Sequence, residues 1–309
     1  MFPEVGVAQL FKYGEELCGD KVIIEKNEDS TIVVLSDGLG SGVKANILAT
    51  LTTKIISGML KHGSALEDVI DTVAKTLPVC NVRKVAYSTF HIININKLGE
   101  TYVVEFDGPA TLLYRNGQVI RFPVTERLVG GKLLKVGRLD LVYNDALFIV
   151  SDGVMHAGIG GLLKLGWQQE GLEEYIRDNY KPSIPSVFFS KEIVNCCEGY
   201  YLGKAGDDTT AVVIKMRKPN RLMMMIGPPT DKSKDEEVVG RLMQFDGKKI
   251  VSGGTTASIV SRYLNKPINV DMSTLNSEIP PVARIEGVDL VTEGILTANA
   301  VAERLKKQN

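Results

Sequence analysis

Twice in this chain a short apolar run stops at Ser-Asp-Gly. Thr31-Ile32-Val33-Val34-Leu35 leads into Ser36-Asp37-Gly38, and Leu147-Phe148-Ile149-Val150 leads into Ser151-Asp152-Gly153. Runs of this length and composition read as buried strands. The aspartate at the end of each is then held on a rigid element beside glycine backbone, which suits a hard cation or a phosphate. A single Asp-Gly is a common turn dipeptide and says little. Recurrence says more. Ala205-Gly206-Asp207-Asp208-Thr209-Thr210 precedes a third apolar strand, residues 211–214, and Gly19-Asp20 precedes a fourth, Val22-Ile23-Ile24. Four acidic positions at strand edges, far apart in sequence, predict ligands gathered at one end of a sheet. Oxygen donors with no His or Cys cluster select Mg²⁺ or Mn²⁺ over zinc.

The pattern between these points reads as strands first and helices after. Residues 5–13 and 21–25 are expected strands, and the turn Asn27-Glu28-Asp29-Ser30 predicts a hairpin with the strand that holds Leu35. After Gly42 the clearest helical pattern begins. Val43, Ile47, Leu51, Ile55 and Met59, with Leu48 and Ile56 beside them, predict one apolar face. His62-Gly63 ends it. Ser64 with Glu67 reads as a capping box for a second helix running to Pro78. Short strands fill residues 85–143, with Asn116-Gly117 as a hairpin turn. Residues 146–150 form the strand before the second Ser-Asp-Gly, and helices are expected over residues 167–179 and 185–197. Strands at both ends of this region with helices between predict an α+β fold, sheets packed together and helices outside.

Lys215-Met216-Arg217-Lys218-Pro219-Asn220 is a basic, proline-containing break and an expected domain boundary. It divides the chain into residues 1–217 and residues 218–309. Beyond it, strand and helix alternate: strand 221–226, helix 235–245, strand 249–251, a helix from Ser252-Gly253-Gly254-Thr255-Thr256 to residue 264, strand 287–291 and a last helix through residue 305. This predicts a small C-terminal α/β domain. The Ser252 to Thr256 turn is either a glycine-rich strand-to-helix connection or an anion cradle, which would make the domain a sensor or docking module.

Composition narrows the function classes. A net charge of -1 over 309 residues gives no electrostatic footprint for nucleic acid or an anionic membrane. No run approaches the roughly 18 apolar residues of a membrane span, and the N-terminus carries no signal-peptide pattern. Cys18, Cys80, Cys196 and Cys197 form no C-x-x-C, so a reduced, cytoplasmic protein is expected. Cys18 reads as a buried free thiol. The three histidines, His62, His91 and His156, are scattered; His91 falls within a strand and reads as structural, while His156 follows Asp152 closely enough to approach a site there.

Three segments together carry a family resemblance: VVLSDGLGSGVKA from Val33, LFIVSDGV from Leu147 and GDDTTAVVIKM from Gly206. In order, interval and strand context they resemble the signature segments of the metal-dependent protein phosphatases, the stage II sporulation protein E branch above all, over residues 1–216. The resemblance implies an αββα sandwich, two packed antiparallel sheets flanked by helices, with a two-metal centre at one end. It implies hydrolysis of phosphoserine or phosphothreonine on a protein substrate by a metal-activated hydroxide, with Mn²⁺ or Mg²⁺ as the two ions. Asp37 would bridge both ions, the Gly38 carbonyl would ligate one, and Asp152 and Asp207 would complete the set. Asp20 would hold metal-bound water. The neighbours Asp207 and Asp208 are not separated by the sequence. Two departures stand out. Met155-His156 replaces a Thr-Glu frequent in relatives, and no histidine near Asp20 offers a general acid.

Two rival readings stand beside this one. Residues 38–44 suggest a nucleotide loop, yet position 43 is valine where G-x-G-x-x-G needs glycine, and Lys44 lacks the flanking residues of a P-loop. The other rival is a catalytically weak phosphatase-fold module that binds or regulates. The expected partners are a phosphoprotein substrate, with no nucleic acid and no membrane, and a regulatory partner or ligand at the C-terminal domain.

Overall fold

The computed structural model describes residues 1–76, 88–129, 131–275 and 280–306. It divides into two units, Met1–Lys218 and Pro219–Asn309. The first unit runs β1 (Phe2–Leu10), β2 (Asp20–Lys26), β3 (Ser30–Gly38), α1 (Gly42–Lys61), α2 (Leu66–Thr76), β4 (Ser88–Asn96), β5 (Glu100–Phe106), β6 (Leu112–Arg115) and β7 (Gln118–Arg121). It continues with β8 (Thr125–Val129), β9 (Lys132–Asp140), β10 (Ala146–Val150), the single turn α3 (Asp152–Met155), α4 (Gln168–Asn179), α5 (Ser186–Tyr200) and β11 (Thr209–Arg217).

The two runs that end in Ser-Asp-Gly lie in different sheets. β3 belongs to a six-stranded sheet of order β2-β3-β4-β5-β9-β8, and β10 to a five-stranded sheet of order β1-β11-β10-β6-β7. Every pairing in both is antiparallel. Because side chains alternate along a strand, an unbroken apolar run needs cover on both faces. Val33 and Leu35 of β3 meet Leu147 and Ile149 of β10 and Val212 and Ile214 of β11 between the sheets. Ile32 and Val34 point the other way, onto Ile56 of α1 and Val69, Ile70 and Val73 of α2. Phe148 and Val150 likewise pack outward, under Leu172 and Ile176 of α4 and Phe189, Ile193 and Cys197 of α5. The result is the expected αββα sandwich, four layers with three apolar interfaces.

Helix α1 corrects one expectation. Its large apolar residues Val43, Ile47 and Leu51 are 60%, 52% and 49% exposed, and the buried face is Ala45, Ala49, Thr52, Thr53, Ile56 and Ser57. The reason is close approach. A Cβ on Gly38 would run into the Ala45 carbonyl, so the helix backbone lies against the end of β3 and only small side chains fit between. Hydrophobic periodicity selects large residues and so picks the wrong face. Ile55 and Met59, further along, do pack against the sheet and α2. Helix α2 starts at Leu66, with the Val69 N–H donating to the Ala65 carbonyl at 3.1 Å. Ala65 therefore takes the place expected of Ser64. The expected end at residue 78, and Cys80, lie outside the described residues.

The second unit runs β12 (Leu222–Ile226), α6 (Asp235–Gln244), β13 (Lys248–Ser252), α7 (Gly254–Leu264), β14 (Asn269–Asp271), β15 (Val282–Ile285), β16 (Val288–Thr292) and α8 (Ile295–Lys306). Its sheet order is β12-β13-β16-β15-β14. The first three strands are parallel, and β15 and β14 add an antiparallel edge. Met225, Val251, Val291 and Ile285 meet Val239, Leu242, Ile259 and Val260 in a core of this unit's own. The turn before α7 places Gly253 at φ 111°, and no side chain caps the helix. Among the described residues of the whole chain, no helix is long and apolar enough to cross a membrane.

Candidate metal centre

Pairing registers bring the acidic positions together. Asp20 of β2 lies directly opposite Asp37 of β3. At the matching end of the other sheet, the Ser151 N–H donates to the Thr210 carbonyl at 3.0 Å, and the Thr210 N–H donates to Ser151 Oγ at 2.9 Å. These bonds lock the end of β10 to the start of β11. The Thr210 hydroxyl then donates to Asp20 Oδ2 at 2.7 Å, tying the two sheets to each other. Asp37, Gly38, Asp152 and Asp207 line a cleft of about 280 Å³ together with Lys12, Ser41, Ser88 and Thr89. Donor atoms of Asp152, Asp207 and His156 all lie within 4.8 Å of one another.

The glycines of the two Ser-Asp-Gly segments serve contact, not turning. A Cβ on Gly153 would strike the Asp208 carbonyl, as one on Gly38 would strike that of Ala45. The residue after each aspartate thus lies against backbone of another element, the start of α1 for Gly38 and the segment before β11 for Gly153.

Charge is the dominant property of the cleft. Burial, then the charges of Asp20 and Asp152, push the Asp37 carboxyl up to about 10, and a hydrogen bond with Asp152 adds to this. Burial raises Asp20 to about 7 against the opposing hydrogen bonds of Thr210 and Ser151, with Asp208 and Asp152 adding repulsion. Asp207 is raised by burial and by Asp152, and lowered in part by Lys12. Carboxylates held this close without a cation keep a proton instead. Asp20 is 2% exposed, and its Oδ1 has no hydrogen-bond partner. A buried carboxylate oxygen left bare beside three more carboxylates is a donor set that fits a hard divalent cation.

The neighbours Asp207 and Asp208 occupy different places. Asp208 is 4% exposed; its Oδ1 accepts from the Lys12 N–H at 3.1 Å and its Oδ2 from the Gly19 N–H at 2.9 Å. It braces the loop between β1 and β2 and does not line the cleft. Asp207 does.

Other singled-out residues are engaged in contacts of their own. His91 is buried, its Nε2 2.7 Å from the Pro109 carbonyl, paired across the sheet with Glu105. Cys18 is a buried thiol, pushed up by burial and by Asp20 and Asp208. The Ser41 hydroxyl donates to Glu15 at 2.9 Å, and the Glu15 carboxylate lies against Gly42. The start of α1 is thus already met by a carboxylate, which opposes a phosphate cradle there. Sequence reasoning misses Lys12, a cation on the cleft wall. It stands in an irregular loop and no pattern marks it.

The family model for stage II sporulation protein E matches residues 27–217, a span that holds Asp37, Asp152 and Asp207. The chain belongs to that family. Among solved structures, the PP2C phosphatase domain with a fragment of the regulatory domain of SpoIIE from Bacillus subtilis is 18% identical, with a TM-score of 0.60 over 70% of this chain and 64% of that one. The chain therefore spans less than two thirds of that relative. The SpoIIE phosphatase domain in a form without domain swapping, also from Bacillus subtilis, is 17% identical, TM-score 0.56, over 74% of this chain and 98% of that one. The RsbU and RsbW domains of a Mycobacterium tuberculosis protein are 16% identical, TM-score 0.59, over 78% and 67%. At these identities the likeness is one of fold, the sandwich of the PP2C-type phosphatase domain. No curated protein matches the sequence.

Proposed function

We propose that this member of the stage II sporulation protein E family hydrolyses phosphoserine or phosphothreonine on a protein substrate, at a centre for two Mn²⁺ or Mg²⁺ ions. The observation that carries the reading is the excess of carboxylate in the cleft, where Asp37, Asp152 and Asp207 converge and buried Asp20, opposite Asp37, keeps an oxygen without a partner. Asp37 would lie between the two ions, the Gly38 carbonyl and Asp207 would each hold one, and Asp152 would close the set. Asp20 would reach the centre through water by its free Oδ1. Asp208 would serve from behind by fixing the Lys12 and Gly19 backbone. Two bound cations would lower the pKa of water toward neutrality and neutralise the phosphoryl oxygens, so no side-chain base is required. Asp37 and Asp152 are accordingly the residues on which turnover should depend. Lys12 at the cleft wall would meet a phosphoryl oxygen of the entering substrate.

Residues 1–217 would carry this activity and residues 218–309 a separate function, with a regulatory partner or ligand at the C-terminal domain. The free thiols of Cys18, Cys196 and Cys197 support a cytoplasmic location. The test is release of phosphate from phosphoserine and phosphothreonine peptides with and without a chelator. Activity should require added Mn²⁺ or Mg²⁺; full activity after exhaustive metal removal refutes the reading.

A further inference from the structure

His156 departs from the all-oxygen donor set, and its position gives the departure a consequence. It follows the single turn α3, and its N–H donates to the Asp152 carbonyl at 2.9 Å. One helical turn therefore sets the imidazole over the Asp152 carboxylate, with Nδ1 3.9 Å from Oδ2. The backbone here is pinned from behind, since a Cβ on Gly166 would collide with the Met155 carbonyl and close on His156 Cα. Donor atoms of His156, Asp152 and Asp207 share a sphere in which no pair is more than 4.8 Å apart. Ligands bound at about 2.1 Å to one octahedral ion stand about 3 Å apart when adjacent and about 4.2 Å apart when opposite. The His156–Asp152 separation of 3.9 Å lies between these values, and the cluster's outer limit of 4.8 Å exceeds the larger by about 0.6 Å, which a small side-chain rotation closes. The cluster does not stand alone, because buried Asp20, whose Oδ1 has no hydrogen-bond partner, stands opposite Asp37 in the pairing of β2 with β3.

We infer that His156 is a nitrogen ligand to the cation held by Asp152 and Asp207, and that it biases this centre toward Mn²⁺ over Mg²⁺. The inference rests on the phosphatase reading above and adds a donor to it. Imidazole is a softer donor than carboxylate. It binds first-row transition metals far better than Mg²⁺, whereas an oxygen-only set suits Mg²⁺ and Mn²⁺ alike. A glutamate at position 156 would return the set to oxygen.

The experiment uses the full chain and two readouts that do not depend on turnover. Pulsed electron paramagnetic resonance of the Mn²⁺-loaded protein should show nitrogen hyperfine coupling that His156→Ala and His156→Glu both lose. Titration calorimetry should show the Mn²⁺-over-Mg²⁺ preference falling about tenfold in His156→Ala, with His156→Glu recovering Mg²⁺ affinity. Mn²⁺ bound by the wild-type chain without nitrogen coupling, or a preference unchanged in both variants, overturns this inference alone. A wild-type chain that binds neither ion overturns it together with the phosphatase reading.

Discussion

Removing one carboxylate from a crowded centre should stabilise the metal-free protein and spoil the loaded one. Asp152→Asn is the cleanest such change, because asparagine keeps the shape. Donor oxygens of Asp152 and Asp207 lie within 4.8 Å. Two unit charges at that distance repel by about 3.5 kcal/mol at an effective dielectric near 20. The Asp152 side chain is 46% exposed, and water screens much of this. The proton held by Asp37 quenches more. About 1 kcal/mol should remain, which for a unit of this size raises Tm by roughly 2–4 °C. Metal reverses the order. At a hundred times its Kd, an ion that binds only the folded state adds about 2.7 kcal/mol, a gain the wild type should show and Asp152→Asn should largely lose. Melting both proteins by circular dichroism, in chelator and then in Mn²⁺, should give curves that exchange places. If the variant is less stable than wild type in chelator and gains as much from Mn²⁺, the carboxylates are neither repelling nor ligating, and the argument fails.

Three further outcomes follow from the same geometry. Asp37 and Asp20 bind protons more tightly folded than unfolded, so metal-free stability should fall as pH rises from the ordinary carboxylate range through about 7 for Asp20 toward about 10 for Asp37. Saturating Mn²⁺ should flatten that slope, and a metal-free Tm that rises with pH across this window contradicts it. Asp208→Ala strips two backbone N–H groups of a charged acceptor and should cost about 2–3 kcal/mol of stability, whereas Asp207→Asn should spare the fold and cost Mn²⁺ affinity; calorimetry and melting on the two variants check the division. Residues 1–217 should fold and bind metal unaided, since their three apolar interfaces close without the second unit, and a folded truncation that has lost Mn²⁺ binding would assign the C-terminal unit to the centre.

Legibility in the sequence differs from feature to feature. Strands covered on both faces announce themselves by unbroken apolar runs, which is why β3, β10 and β11 are legible to within a few residues. So is the Asn116-Gly117 hairpin, where both residues take positive φ, 53° and 82°. The acidic positions are legible because each stands at one end of such a run, Asp37 and Asp152 after it and Asp20 and Asp207 before it. Helix α1 is not, in its face. Its contact is set by backbone meeting backbone at Gly38 and Ala45, and small residues leave no hydrophobic signal. Strands β14 and β15 escape a sequence reading for a different reason. They are three and four residues long and partly exposed, with β14 at the sheet edge, so neither an apolar run nor a strict alternation marks them.

The pair Asp207-Asp208 shows where local reading must stop. Adjacent residues entering a strand present their side chains to opposite sides. Which side is the cleft depends on the register that sets Thr210 against Gln9 of β1, and on the bonds that tie Thr210 to Ser151 beyond β10. Those partners lie 201 and 59 residues from Thr210 along the chain, and no window around Asp207 contains them. The same long-range register gives Asp208 the Lys12 and Gly19 amides and leaves Asp207 facing Asp152. A carboxylate with two backbone donors has its charge met by protein; one beside another carboxylate does not. The unmet charge, more than the presence of an aspartate, is what separates a ligand from a brace in this centre.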